Sequence, residues 1–268
     1  ANGLILMTTF LAIILGTLAA GAVFPEKREG QTSIDPPWIG SVLCVVIAVI
    51  GTMTSLLIRR TPPAQPNAAL TIDALAVDSQ VGSTLLKDGP LLRALLVSCV
   101  FWLISGICVP VINRVGQLLQ INEFQTSVLV AAIALGIMGG SVIAIVRQSL
   151  QTTNPRRQVL IGLWGMTICL SILAIWHGEL PVFGYWPFFV ILLILGGFVA
   201  TYAIPLQVFL QDRPPDELKG RMIATMNQAN FIGILLSGPI YQLFPSWAGK
   251  LEVPINTVFG MMAIMLLP

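Results

Sequence analysis

The chain has 268 residues, of which 56% are apolar and only 10% charged, and its mean hydropathy is +0.87. Soluble globular domains carry roughly 25% charged residues, so this chain has too few charged side chains to cover a soluble surface. The composition excludes a soluble enzyme, a nucleic-acid-binding domain and a disordered chain, and it indicates an integral membrane protein. The net charge of +2 is too small to indicate an acidic partner.

Long apolar runs define the predicted elements. Strands of a membrane barrel alternate apolar and polar residues, whereas these runs are continuous, so we predict an all-α, polytopic transmembrane helical bundle. A bilayer core of about 30 Å needs about 20 apolar helical residues. In chain order the runs are 3–24, 38–58, 94–112, 126–146, 158–176, 187–210, 222–244 and a shorter one at 255–267. Because the chain starts with Ala and its last run is short, we interpret it as a piece of a longer membrane protein.

The predicted orientation follows from the Lys and Arg residues of the loops. Ten lie on one side of the predicted membrane and four on the other, and cytoplasmic loops carry the excess of Lys and Arg. We therefore expect loops 59–93, 147–157 and 211–221 to be cytoplasmic, and the first helix to run outward.

The longest loop divides the chain. It contains prolines at 62–66 that end the second helix, and residues 68–90 have the weak amphipathic character of an interfacial helix. The predicted domains are 1–58, the last two helices of an N-terminal bundle; 59–93, a cytoplasmic linker; and 94–268, a six-helix C-terminal bundle with a truncated last helix.

No pattern indicates catalysis or metal binding. The four cysteines fall inside apolar runs without a C-x-x-C pair, and His177 is the only histidine. We predict no catalytic residue, no metal site and no cofactor. Glycines at 136–140, at 196–197 and at 233–238 are interpreted as sites of close helix packing rather than ligand contact.

Polar side chains at membrane depth are the candidates for a substrate path, because each is costly in hydrocarbon unless it is satisfied. They either bridge helices or line a polar cavity. Arg114 has two interpretations, an interfacial cation or a contact for an anionic phosphate. The full set is Trp102, Ser105, Asn113, Arg114, Tyr202, Gln207, Asn227 and Asn230.

Two predicted cytoplasmic loops are candidates for gating. In the segment 212–221 three acids face three bases and can form local ion pairs, which either latch one conformation or simply orient two helices in a solvated loop. The gating candidates are Gly140, Arg147, Arg156, Arg157, Asp216, Lys219, Gly220 and Arg221.

These loops resemble those of the major facilitator superfamily. The pattern Pro-x-x-x-x-Gly-Arg, from Pro215 to Arg221, is similar to the segment before helix 11 of that superfamily, and Gly140 with Ala144 resembles its loop between helices 8 and 9. Where that loop has an Asp-Arg-x-Gly-Arg core, this chain has Ile145-Val146-Arg147-Gln148. The resemblance implies that the chain corresponds to about helices 5–12 of a two-bundle transporter.

Three further strings are similar to the lysophospholipid transporter family, including its fusions to an acyltransferase and an acyl-carrier-protein synthetase. They are Ala1-Asn2-Gly3 leading to Gly16-Thr17, Val100-Phe101-Trp102-Leu103, and Gly220-Arg221 leading to Asn227. The resemblance implies inward transport of lysophosphatidylethanolamine-like lipids across a bacterial inner membrane by alternating access. The alternatives are a permease for another small solute or drug, and a membrane anchor for a fused acyltransferase.

Overall fold

The computed structural model describes residues 2–23, 38–59, 77–149, 154–175, 184–251 and 254–267. The part of the chain that it describes is helical, which confirms the predicted all-α class. Its helices are α1 (Asn2–Val23), α2 (Trp38–Ser55), α3 (Ser79–Lys87), α4 (Gly89–Leu118), α5 (Glu123–Ser149), α6 (Pro155–Ile175), α7 (Tyr185–Asp212), α8 (Lys219–Leu251) and α9 (Thr257–Met265). A short 3-10 turn at Asp216–Leu218 precedes α8.

Each predicted apolar run coincides with a helix. Helices α2, α4, α5, α6 and α7 are long and apolar enough in their described residues to cross a membrane, and α1 and α8 have 22 and 33 residues. The chain is therefore an integral membrane protein. Helices α4 and α8 extend beyond the predicted runs at both ends, because a helix continues through the polar interface after the hydrocarbon ends. His177 lies outside the described residues.

The helices from α4 to α9 enclose one apolar core. Helix α5 packs against α1 and α7, α7 packs against α6, α4 packs against α8, and α6 packs against α9. Tyr202, Phe188 and Phe259 are among the largest fully buried side chains of this core. Helix α2 buries none of its residues.

The linker contains a short helix, α3, and one face of this helix packs against α4 and α8. Val81 and Leu85 are buried there, whereas Leu86 is exposed. The predicted interfacial segment 68–90 is described only from residue 77 onward.

Glycines bring α5 and α7 into backbone contact, as predicted from the sequence. A Cβ atom added at Gly136 would lie 2.9 Å from the Cα atom of Gly196 and closer still to the carbonyl oxygen of Leu193. One turn further along, a Cβ atom added at Gly140 would lie 2.8 Å from the carbonyl oxygen of Gly197. Real Cβ atoms do not approach a backbone this closely, so these positions require glycine. The predicted close packing is confirmed for Gly136, Gly140, Gly196 and Gly233, whereas it is wrong for Gly139 and Gly238, where an added Cβ atom would meet nothing within 4 Å.

Gly136→Ala is expected to destabilise the protein by about 1–3 kcal/mol, because the added methyl group overpacks the α5–α7 contact. Gly139→Ala is the matched control on the same helix, since a Cβ atom at Gly139 meets nothing within 4 Å. Thermal unfolding of both variants in detergent measures the difference. Equal melting temperatures for the two variants would contradict the packing described here.

Candidate functional site

A cavity of about 520 Å³ lies among six helices of the bundle. Ligand pockets in proteins have volumes of about 300–1,000 Å³, so it is large enough for a small molecule. Its lining residues come from α1, α4, α5, α6, α7 and α9. They are Thr9, Ile13, Phe101, Trp102, Ile104, Ser105, Cys108, Val109, Val130, Ile133, Ala134, Ile137, Met166, Leu170, Leu195, Val199, Ala203, Gln207, Gln211, Met262 and Leu266.

Three of the residues predicted for a substrate path lie in this lining: Trp102, Ser105 and Gln207. The Ser105 hydroxyl donates to the backbone oxygen of Phe101 at 3.0 Å, and the indole of Trp102 packs edge-on against the ring of Phe101. The amide of Gln207 makes no hydrogen bond or ion pair within the described part of the chain. It is therefore the group best placed to bind a ligand.

Two more polar residues, Thr9 and Gln211, line the cavity and were not predicted from the sequence. Gln211 follows Gln207 by four residues, so the two amides share one face of α7. The four-residue spacing from Gln207 could have identified Gln211 from the sequence. Gln211 was missed because it lies just beyond the predicted apolar run 187–210. Thr9 lies within a continuous apolar run, and no sequence signal separates it from its neighbours.

The other predicted path residues lie outside the cavity lining. Tyr202 is fully buried, its ring centroid lies 5.5 Å from that of Phe101, and its hydroxyl donates to the backbone oxygen of Val97 at 3.5 Å. Asn113 and Arg114 are exposed near the end of α4, where a guanidinium nitrogen of Arg114 donates to Oε1 of Gln117 at 2.8 Å.

The two asparagines of α8 have different surroundings, although they are only three residues apart. Asn230 is 8% exposed, and its Oδ1 atom accepts a hydrogen bond from the buried Ser98 hydroxyl at 2.9 Å. Asn227 is exposed. Asn230 therefore joins α8 to α4, whereas Asn227 faces away from that contact.

Two ion pairs tie the linker to the end of α7 and to the first turn of α8. Arg221 donates to Oδ2 of Asp78 at 2.8 Å, and Arg213 donates to Oδ2 of Asp88 at 2.7 Å. We call these two pairs the Asp–Arg clamp. The sequence predicted local pairs within 212–221, but of these bases only Lys219 has a described local partner, at 2.7 Å from Asp216. Arg213 and Arg221 instead bind acids of the linker.

Each aspartate of the clamp also caps a helix. Oδ1 of Asp78 accepts from the backbone N–H of Gln80 at 2.8 Å, at the start of α3. Oδ1 of Asp88 accepts from the backbone N–H of Leu91 at 3.2 Å, at the start of α4. Because a cap fixes the direction in which the chain enters a helix, the clamp sets the position of α3 relative to the bundle.

The Asp88–Arg213 pair of the clamp keeps its charges over a wide pH range. Its hydrogen bond with Arg213 lowers the pKa of Asp88 below the usual carboxyl value, and the same bond raises the pKa of Arg213. Because folding lowers the pKa of the Asp88 carboxyl, the ion pair stabilises the protein fully above the usual carboxyl pKa. This stabilisation is lost only as the pH falls through the lowered pKa of Asp88. The Asp88–Arg213 pair is therefore intact at neutral pH.

The remaining gating candidates have less contact with other elements. Arg156 and Arg157 are exposed, and the backbone N–H of Arg156 donates to Oδ1 of Asn154 at 3.0 Å, which caps α6. A Cβ atom at Gly220 would meet nothing within 4 Å, whereas Gly140 lies in the α5–α7 contact. The side chain of Arg147 lies outside the described residues. The described residues include no group of three His, Cys, Asp or Glu side chains that could hold a metal ion.

Asp88→Asn is expected to loosen α3, because it removes the charge bound to Arg213 but retains a good N-cap residue. Hydrogen–deuterium exchange of the α3 amides should be roughly two- to fivefold faster than in the parent, since exposed ion pairs are weak. Raising the salt concentration from about 0.05 M to about 0.5 M should accelerate exchange more in the parent than in the variant, which retains only the Asp78–Arg221 pair.

Asp216→Asn is the matched control for this experiment, because Asp216 pairs with Lys219 inside its own segment and not with α3. Exchange that is identical in the parent and in Asp88→Asn at both salt concentrations would contradict the role given to the clamp.

Comparison with known proteins identifies similar chains. The family model of the Major Facilitator Superfamily matches residues 1–267. The lysophospholipid transporter LplT of Klebsiella pneumoniae (strain 342) is 26% identical over 271 residues, which cover 97% of this chain and 62% of that protein. LplT of Enterobacter sp. (strain 638) is 27% identical over 267 residues, with the same coverages.

A further relative, LplT of Serratia proteamaculans (strain 568), is 26% identical over 250 residues, which cover 91% of this chain and 58% of that protein. The chain thus spans less than two thirds of the length of the curated relatives it matches. No solved structure matches it significantly.

Proposed function

The chain belongs to the Major Facilitator Superfamily, and from this premise we propose that the protein moves lysophospholipids across a membrane by alternating access. The substrate class is lysophosphatidylethanolamine-like, and the membrane is the bacterial cytoplasmic (inner) membrane. The similar proteins from Klebsiella, Enterobacter and Serratia are named as lysophospholipid transporters, which supports this substrate class.

The observation that carries the proposal is the mixed character of the cavity. A lysophospholipid has a single acyl chain and a polar phosphate headgroup, so its site needs a large apolar wall with a few polar groups. The lining of the cavity has this composition, with the amides of Gln207 and Gln211, the hydroxyls of Thr9 and Ser105, and the indole of Trp102 set among apolar side chains. The amide of Gln207 and the indole N–H of Trp102 supply hydrogen-bond donors for a headgroup, whereas the Ser105 hydroxyl, which donates its proton to Phe101, can still accept.

The predicted path residues outside the cavity lining have separate proposed roles. Exposed Asn227 and Arg114 are positioned to meet a headgroup on its way to or from the cavity, with Asn113 beside Arg114. Tyr202 and Asn230 hold α7 and α8 against α4 through their hydrogen bonds to Val97 and Ser98.

We also propose that the Asp–Arg clamp makes the linker move together with α4, α7 and α8 during alternating access. One pair joins the linker to Arg213 at the end of α7, and the other joins it to Arg221 in the first turn of α8. Rigid attachment at this end would transmit a motion of the linker directly to α7, which lines the cavity, and to α8, which packs against the cavity-lining helix α4. The gating role predicted for Arg221 is consistent with this contact.

Two other functions would give different results in the transport experiment described below. A permease for another small solute would use the same cavity with a different ligand. A membrane anchor for a fused or associated acyltransferase would have no use for a cavity that combines apolar walls with amide donors.

Gln207→Leu is expected to reduce uptake of lysophosphatidylethanolamine by about three- to tenfold, because it removes one hydrogen bond while keeping the side-chain size. The full-length protein is reconstituted in liposomes, and uptake of the labelled lipid is followed over time. Gln80→Leu is the matched control, since Gln80 is exposed on α3 and outside the cavity.

The parent should transport the lysolipid in preference to the diacyl lipid. Uptake of a hydrophilic solute but not of lysolipid would favour the permease, and no uptake of any solute would favour the anchor. An unchanged rate in Gln207→Leu would contradict the role given to this cavity.

A further inference from the structure

The cavity has a polar side and an apolar floor. Its polar lining residues lie on α1, α4 and α7, and they are half-buried or exposed, as in the case of Trp102, Gln207 and Thr9. Helices α5 and α6, and α9 with its C-cap residue, contribute only apolar side chains; those from α6 and from α9 and its C-cap are Met166, Leu170, Met262 and Leu266. We call these four side chains the floor of the cavity.

The floor lies deep inside the bundle. Met166 and Leu170 are each 2% exposed, Met262 is 1% exposed, and Leu266 is 5% exposed. These four side chains are therefore less exposed than the polar lining residues of the cavity. An amphiphile that enters this cavity has one favourable orientation, with its headgroup at the polar side and its tail toward α6 and α9, because a buried headgroup at the floor would have no hydrogen-bond partner.

The four side chains of the floor can limit how far the acyl chain of a bound lipid extends into the bundle. Side chains in the bundle core are close-packed, and shape changes there are costly. A tail leaving the bilayer comes from surroundings as apolar as the floor, so burial itself contributes little to selection. Selection among tails must then come from steric fit, that is, from how far a tail can extend before it meets the floor.

We propose that Leu170 and Met262 determine the acyl-chain length that the protein accepts. They lie on the two different helices of the floor, α6 and α9, and both line the cavity. This inference rests on the proposed function, because it specifies which lysophospholipids the same cavity binds. The chemical class that it assigns to the floor is a single acyl chain.

A competition experiment tests the proposal. Full-length protein in liposomes takes up lauroyl- and stearoyl-lysophosphatidylethanolamine from one mixture, and mass spectrometry gives the ratio of the two lipids inside. In a competition this ratio reports the ratio of kcat/KM values, so it does not depend on how much folded protein each sample contains. That independence matters because core substitutions also change stability.

Leu170→Trp is expected to lower the stearoyl-to-lauroyl ratio by about tenfold, a difference of the size that pocket shape produces for small apolar differences. Leu170→Ala is expected to raise the same ratio, since it deepens the cavity. Ile168→Trp is the matched control, because Ile168 lies on the same helix but is 55% exposed and outside the cavity. Met262→Phe replaces Leu170→Trp if that variant fails to fold.

The outcomes separate this inference from the proposed function. If the parent takes up neither lysolipid, the proposed function is wrong and the length filter is wrong with it. If the parent takes up both but the ratio is the same in Leu170→Trp, Leu170→Ala and Ile168→Trp, transport stands and the length filter is overturned. A ratio that changes equally in Ile168→Trp would also overturn it.

Discussion

The backbone contact between α5 and α7 is the constraint on which the rest of the bundle depends. A Cβ atom at Gly136 would lie 2.9 Å from the Cα atom of Gly196, so no larger residue fits at this crossing. Helix α5 also packs against α1, and α7 also packs against α6. The four helices are therefore positioned relative to one another through this crossing. The cavity lies between these helices, α4 and α9, so its walls are set by the same contact.

Polar groups in this bundle have two different uses. Some are satisfied by the protein itself, as when Ser98 donates to Asn230 between α4 and α8 or Asp88 both caps α4 and binds Arg213. The amide of Gln207, by contrast, lines the cavity and makes no hydrogen bond within the described part of the chain. An unsatisfied amide at membrane depth is costly, and its retention beside an apolar cavity is best explained by a ligand that satisfies it. This distinction underlies the proposal of an amphiphilic substrate.

The helices were predictable because the thickness of hydrocarbon imposes long apolar runs, and glycine contacts were predictable because small residues mark close crossings. Ser105 and Gln207 were found as candidates because polar residues stand out in such runs. Long-range partners were not predictable. Arg213 binds Asp88, which is 125 residues away, and Arg221 binds Asp78, which is 143 residues away; the sequence offered nearer acids for both. The division of the cavity into a polar side and an apolar floor depends on six helices, and no single run of sequence contains it.

The central claim is that one lysophospholipid binds in this cavity with its tail at the floor. Photo-crosslinking of the full-length protein with a lysophosphatidylethanolamine that carries a diazirine at the end of its acyl chain tests it most directly. The account predicts crosslinks to α6 and α9 at Met166, Leu170, Met262 or Leu266, which excess unlabelled lysolipid suppresses. Crosslinks confined to exposed positions such as Ile168, or crosslinks that the unlabelled lipid leaves unchanged, would contradict it.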